Sequence, residues 1–379
     1  MKVLMQGRYE LFDVGGGDKV QIENTANQLR SLGVSVDVAT QKVIDLSQYD
    51  IVHIFQLDWV AENYIYAKQA LKQGIPIVLS PIHHTLKEVE RFDNDYAFGF
   101  RRLSKALFKN QFARDTFKNV YRSVLDYRKI PPTALSLILG LKNMHKKVLS
   151  WADIVLVQTN IEAYDLKEVY DVDFEWRKIP NGVSSNFIRR QKFSNPFEFE
   201  DYILCVGRIE PRKNQLSVIE AVQKLRSETN KDLQLVFVGA RSGSKHIEYS
   251  LKFNSLAHTY PWVHYVGQVP YEQIPSYYHF AKVGVSASWF ESTGLTSLEA
   301  LFCGANAVAC GSQAREYLGD LASYAEPYNI DSIKTAIKEA LHSERPNITR
   351  ELKLEYTWLN AAKKTLDSYN SVLAARKNL

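Results

Sequence analysis

Short apolar runs alternate along this chain with stretches of helical period. In the first half, residues 2–5, 34–38, 50–55, 75–79 and 151–159 read as strands. Between them Ile22, Ala26, Leu29 and Leu32 share one face of a helix closed by Gly33, and 59–72 read as another. In the second half the strands are 202–206, 233–238, 263–266 and 283–287. Leu216, Ile219, Val222 and Leu225 face inward from one helix, and 311–318, 330–341 and 358–374 read as further helices. Strand and helix in steady alternation predict parallel sheets covered on both faces, with ligands at the carboxyl ends of the strands. A chain of 379 residues exceeds one ordinary core, so two such domains are expected, over 1–190 and 191–355, with 184–200 as linker and 356–379 as a terminal helix.

The most informative stretch is 290–308, Phe-Glu-Ser-Thr-Gly-Leu-Thr-Ser-Leu-Glu-Ala-Leu-Phe-Cys-Gly-Ala-Asn-Ala-Val. It follows an apolar run, turns at Gly294 and then sets Leu298, Leu301 and Phe302 at helical spacing, so it reads as loop and helix. Glu291 falls on the loop and Glu299 in the first helical turn. Free N–H groups at a helix start hold an anion, and carboxylates accept bonds from diols. A nucleotide-activated sugar offers both groups. Each glutamate also has a plainer reading. Thr296-Ser-Leu-Glu299 forms a capping box, and Glu291 on a loop suits a solvated charge.

The Glu-x7-Glu spacing within Glu-Ser-Thr-Gly-Leu-Thr-Ser-Leu-Glu-Ala-Leu-Phe-Cys-Gly resembles the donor-binding signature of family 4 glycosyltransferases, the retaining group with the GT-B fold. The usual pattern has Glu-Gly-Phe-Gly, where this chain has Ser292 and Thr293, and Pro-Val, where it has Asn306 and Ala307. The resemblance implies an α/β fold of two Rossmann-like domains facing across a cleft, the terminal helix crossing back to the first. It implies retaining transfer from a UDP- or GDP-sugar to a glycan or lipid-linked acceptor, as in bacterial lipopolysaccharide synthesis, with no metal and no cofactor. By position, Glu291 would hold the sugar hydroxyls and Glu299 the ribose, with backbone N–H groups near Gly294, Leu295 and Thr296 on the phosphates.

Gly207-Arg208-x4-Lys213 matches a second family motif, whose Arg and Lys bind the donor pyrophosphate. Read from the residues, Arg208 ends a strand and Lys213 starts a helix, so both can meet a diphosphate; an ion pair of Arg208 with Glu210 is the alternative. The triplet 15–17 follows the first strand, and by resemblance Gly16 and Gly17 face the donor phosphates, though a flexible turn explains glycines equally well. His83 or His84, after the strand at 75–79, stands where family members place a histidine against the donor sugar; as polar residues closing a strand they need no such role. The loop 239–241 is a further place for the base. Residues 178–183 match the segment that ends the family's first domain, with Asn181-Gly182 as its sharp turn.

Composition adds a charge asymmetry. Between 101 and 147 stand twelve Lys and Arg against Asp115 and Asp126, a local +10 in a chain of net +5, leaving −5 elsewhere. The wider region 86–150 reads as helices interrupted by Pro131-Pro132, with a rough apolar stripe. It is either a surface for anionic lipid or a lipid-diphosphate carrier, or an ordinary helix pair with a solvated basic face. Its aromatics form no RNA or DNA motif, so nucleic acid is not expected as a partner. No leader or spanning run is visible, which predicts a cytoplasmic protein, free or peripheral at the inner face of the membrane. Cys205, Cys303 and Cys310 have no metal spacing. Asp93-Asn-Asp95 and Asp171-Val-Asp173 mimic a metal motif but follow no buried strand of the required kind. A sugar-nucleotide epimerase of the same fold and a non-catalytic sugar-nucleotide-binding subunit are the rival readings.

Overall fold

The computed structural model describes residues 1–13, 16–43, 45–95, 108, 111–189, 192–241 and 246–377. Of the basic stretch, 101–107, 109 and 110 lie outside the described residues, as does Gly15. The chain forms two compact units, one of Met1–Leu86, Gly99–Gly182 and Tyr356–Leu379, the other of Lys87–Phe98 and Val183–Glu355.

The first unit is built on β1 (Lys2–Gln6), β2 (Ser35–Ala39), β3 (Ile51–Phe55), β4 (Ile77–Ser80), β5 (Ile154–Val157) and β6 (Trp176–Lys178). They form one parallel sheet in the order β2-β1-β3-β4-β5-β6. Alternate side chains go to opposite faces. Val52 and Ile54 join the core shared with helices Val60–Lys72 and Leu141–Trp151. His53 points the other way, where its Nδ1 is 2.6 Å from the Tyr369 hydroxyl and its Nε2 2.9 Å from Ser80 Oγ. Tyr369 lies on the last helix, Trp358–Lys377, which packs beside Gly17–Ser31. Chain order reverses between β1 and β3, so the loops leaving those strands open a crevice at their carboxyl ends.

The second unit repeats the plan with β7 (Tyr202–Val206), β8 (Leu235–Val238), β9 (Val263–Gly267), β10 (Ala281–Val285), β11 (Asn306–Cys310) and β12 (Ala322–Ala325), ordered β12-β11-β10-β7-β8-β9. Leu216, Ile219, Val222 and Leu225 are all buried, together with Ile333, Ala336 and Ile337 of the Ile330–His342 helix. Here the order reverses between β10 and β7. Helix Leu86–Asp95, expected with the basic region of the first domain, contributes Phe92 to a cluster with Trp289 and Phe290, and its Glu88 accepts from Ser312 N at 3.0 Å.

Two parallel six-stranded sheets agree with the expected class, and several local expectations do not hold. Trp151 ends a helix instead of opening β5, because the strand starts only where the run becomes continuously buried at Ile154. Pro131 and Pro132 begin helix Ile130–Leu139 instead of interrupting one; the first turn needs no N–H from them. Lys213 lies in the short turn Pro211–Lys213, and the helix starts at Gln215 after Asn214 takes a left-handed conformation. The three-residue strand β6 and the half-exposed β12 lack a readable apolar run.

Gly182 has a reason beyond the turn expected of it. A Cβ there would lie 2.1 Å from the Trp358 backbone nitrogen and 2.4 Å from the Thr357 carbonyl carbon, so two backbones touch at this point. Gly182→Ala must push the start of the last helix away, at a cost of about 1–3 kcal/mol or more. Thermal unfolding followed by circular dichroism should show a clearly lowered Tm; an unchanged one would mean that the helix start yields freely.

Candidate functional site

In the second unit the loops after neighbouring strands β7 and β10 meet through charge. Lys213 Nζ donates to Glu291 Oε1, and Arg212 Nη1 lies 3.3 Å from Glu291 Oε2. Arg212 also pairs with Glu210 at 3.3 Å, and Glu210 with the half-exposed Arg208 at 3.5 Å. The result is an alternating chain, Arg208–Glu210–Arg212–Glu291–Lys213. Arg212 binds the backbone of the facing loop as well: Nη1 donates to Phe290 O at 3.3 Å, and its own carbonyl accepts from Trp289 N at 2.9 Å. Sequence reasoning missed Arg212. Its position beside Lys213 was visible, but the buried partner 79 positions away was not.

Burial alone would raise the Glu291 carboxyl, yet Lys213 and Arg212 outweigh it and hold the group well below the usual carboxylate range. Glu291 is therefore a fixed anion among cations, and the solvated-charge reading fails. The excess of three cations over two carboxylates leaves the cluster net positive. Lys213 has three N–H donors, so an anion can share it with Glu291.

Close by in sequence, Gly294 caps helix Leu295–Phe302 at φ 47°, ψ 52°. Only glycine fits well: the backbone is left-handed, and a Cβ would lie 2.6 Å from Tyr317 Oη. Helix formation starts at Leu295, followed by Thr296, and no side chain caps it. The expected capping box is absent, because the helix begins one residue before Thr296. Glu299, in the second turn, is 4% exposed and accepts a 2.6 Å bond from Tyr271 Oη. Burial pushes its pKa up to about 7, against the opposing effects of that hydroxyl and of Lys213. Two glutamates eight residues apart thus end in opposite electrostatic states. Gly207 follows β7, and the aliphatic stem of Lys213 passes 3.6 Å from the place of its missing Cβ. The neighbouring loop runs beside it, with Ile209 N donating to Ala240 O at 2.9 Å.

In the first unit Gly16 caps the helix Gly17–Ser31. Space around Gly17 is open, whereas the carboxylate of Asp18 lies against Gly16 and pairs with Arg8 at 2.6 Å, so this helix start already carries an internal anion. Of the two histidines, His83 is buried and turned inward: its N donates to Glu162 Oε1 at 2.7 Å and its Nε2 lies 2.7 Å from Asp165 Oδ2. His84 is the more accessible, with Nδ1 3.4 Å from Asp58. Asp171 and Asp173 each pair with a lysine, Lys146 and Lys167. Arg122 and Lys129 lie 4.9 and 4.5 Å from the Trp59 ring centre, beside the loop that leaves β3.

Residues 187–364 match the family described as Glycosyl transferases group 1. Over 180 residues the chain is 29% identical to O-antigen chain mannosyltransferase B of Escherichia coli; this covers 45% of the chain and 46% of that relative, so the chain spans about half its length. Among solved structures, sucrose-phosphate synthase from Thermosynechococcus elongatus superposes over 99% of this chain and 100% of its own, with TM-score 0.69 and 16% identity. Anabaena HepE in complex with UDP and glucose superposes over 98% and 100%, with TM-score 0.65 and 13% identity. The two-sheet architecture is the GT-B fold.

The raised carboxyl of Glu299 has a measurable consequence. Between its ordinary 4.5 and about 7 the folded form keeps a proton that the unfolded chain has released, so this group's contribution to stability falls as pH rises through that window and stays low above it. Glu299→Gln keeps an acceptor for Tyr271 and removes the titration. The variant should gain on the order of 1–3 kcal/mol relative to the parent above about pH 7, a gain that fades towards about pH 4.5. Parallel Tm-against-pH curves for the two proteins would contradict this.

Proposed function

We propose that this chain, whose residues 187–364 form a group 1 glycosyltransferase domain, moves a sugar from a nucleoside-diphosphate sugar to a hydroxyl of a glycan or lipid-linked acceptor, with retention and without a metal. The observation that carries the reading is the net-positive Arg208–Lys213 cluster sharing Glu291, at the reversal point of the second sheet. Mannosyltransferase relatives support a surface-polysaccharide role and make a nucleoside-diphosphate mannose the first donor to try. A neighbour of the same fold solved with UDP and glucose keeps UDP-sugars in the comparison.

As the bond between the sugar carbon and the phosphate oxygen opens, negative charge grows on the departing diphosphate and positive charge on the carbon. Cations fixed beforehand stabilise that separation more than the ground state. Arg208, Lys213 and the N–H groups at Gly294 to Thr296 would hold the diphosphate. Glu291, kept ionised by Arg212 and Lys213, has lone pairs left for sugar hydroxyls. Glu299, relieved of Tyr271, would accept the ribose hydroxyls. The acceptor hydroxyl attacks from the face the phosphate leaves and loses its proton to that phosphate, so the new glycosidic bond replaces the old with the diphosphate as leaving group.

Lys213→Ala should lower kcat about 10²-fold or more, on the scale of losing one oxyanion donor. A change confined to KM in steady-state kinetics would remove the transition-state role. Activity should survive EDTA. Complete loss restored by Mn²⁺ would contradict metal-free transfer, and donor conversion without any acceptor would favour the epimerase reading.

A further inference from the structure

Helix Leu86–Asp95 follows β4 in the first half of the chain, yet residues 87–98 belong to the second unit. There Glu88, Arg91 and Phe92, which share one helical face, reach three different loops. Glu88 Oε1 accepts from Ser312 N at 3.0 Å and from Ser312 Oγ at 3.3 Å, just past β11. Arg91 lies over the ring of Tyr328, past β12. Phe92 is buried against Trp289 and Phe290, past β10, with ring centres 5.7 and 5.6 Å away. Because β12, β11 and β10 are successive neighbours, one short helix spans the carboxyl ends of all three, up to the strand that borders the reversal point. Those ends are where ligands of parallel sheets bind.

The contact at β10 bears on Glu291. Phe290 immediately precedes it, and the Phe290 ring is shared: Phe92 meets it near edge-on, at 75°, and the Arg212 guanidinium lies 5.6 Å from its centre. Arg212 also holds the Phe290 carbonyl and one oxygen of Glu291. Trp289, the other ring against Phe92, donates its N–H to the Arg212 carbonyl. The loop carrying Glu291 is therefore gripped by charge from the loop after β7 and by packing from this helix. Ion pairs alone leave the backbone of a loop free to pivot about the carboxylate. A packed aromatic pair just before the carboxylate removes that freedom, and a bond to a hydroxyl depends steeply on direction.

We propose that helix Leu86–Asp95 belongs to the donor site, with Phe92 a positioning residue that acts through Trp289 and Phe290 to aim Glu291 at the sugar of the donor. The inference rests on the donor site of the proposed function, and adds that recognition of the sugar, as distinct from the nucleotide, depends on this helix. Diphosphate and ribose fall to Arg208, Lys213 and Glu299, so loosening Phe92 penalises the sugar.

The test is isothermal titration of the whole chain with two probe pairs, UDP and UDP-glucose, and GDP and GDP-mannose. For the pair that the parent binds, Phe92→Ala should weaken the sugar nucleotide about tenfold, on the scale of one hydrogen bond to a charged group, and the free nucleotide by less than about threefold. Phe92→Leu, which keeps most of the apolar volume, should restore the parent's ratio of the two affinities. The double variant Glu88→Ala/Arg91→Ala loosens the same helix at its other two loops without opening a core cavity. It should move the ratio in the same direction by about threefold, and it decides the matter where Phe92→Ala does not fold. An unchanged ratio, or equal weakening of both ligands as general loss of structure would give, overturns the proposal while leaving the donor site standing. A parent that binds neither pair overturns the donor site and the proposal together.

Discussion

A carboxylate taken out of water stays charged only when cations accompany it. That constraint organises the second unit. Glu291 is accompanied by two cations, and its loop is thereby fastened to the loop after β7; Arg212, bound to both a carboxylate and a backbone carbonyl of the facing loop, is the fastener. Because β7 and β10 are neighbours at the point where strand order reverses, no helix intervenes between their carboxyl ends. Two segments nearly eighty positions apart can share charges there.

Glu299 shows the other outcome of the same rule. Its burial outweighs the Tyr271 hydroxyl and the field of Lys213, so it retains its proton up to near neutrality. Under the proposed function a ligand hydroxyl at Glu299 would displace that of Tyr271, and a phosphate at Lys213 would share its ammonium with Glu291.

The first unit treats its equivalent place differently. Asp18 and Arg8 neutralise each other at the helix start after β1, and His83 is committed to Glu162 and Asp165. Nothing in the local sequence separates His83 from His84: both are polar residues closing a strand. The distinction comes from the helix Asn160–Tyr170, which supplies the acceptors for one of them. In the same way Gly182 reads as a turn residue until the last helix arrives against it.

The alternation of buried runs and helical stripes determined the fold class, because the inner strands of a parallel sheet covered on both faces are nearly continuous apolar runs, and that signature is local. The spacing of Glu291 and Glu299 and the Gly207–Lys213 motif were likewise legible as residues in order. Tertiary structure alone decided which glutamate keeps its charge, that Arg212 fastens the loops, which histidine is turned inward, and that Leu135 and Leu139 of the helix at 130–139 pack on the core while Ile130, Leu137 and Ile138 stay exposed. Each of these depends on the partner's position in space, and burial and charge act over a few ångströms irrespective of distance along the chain.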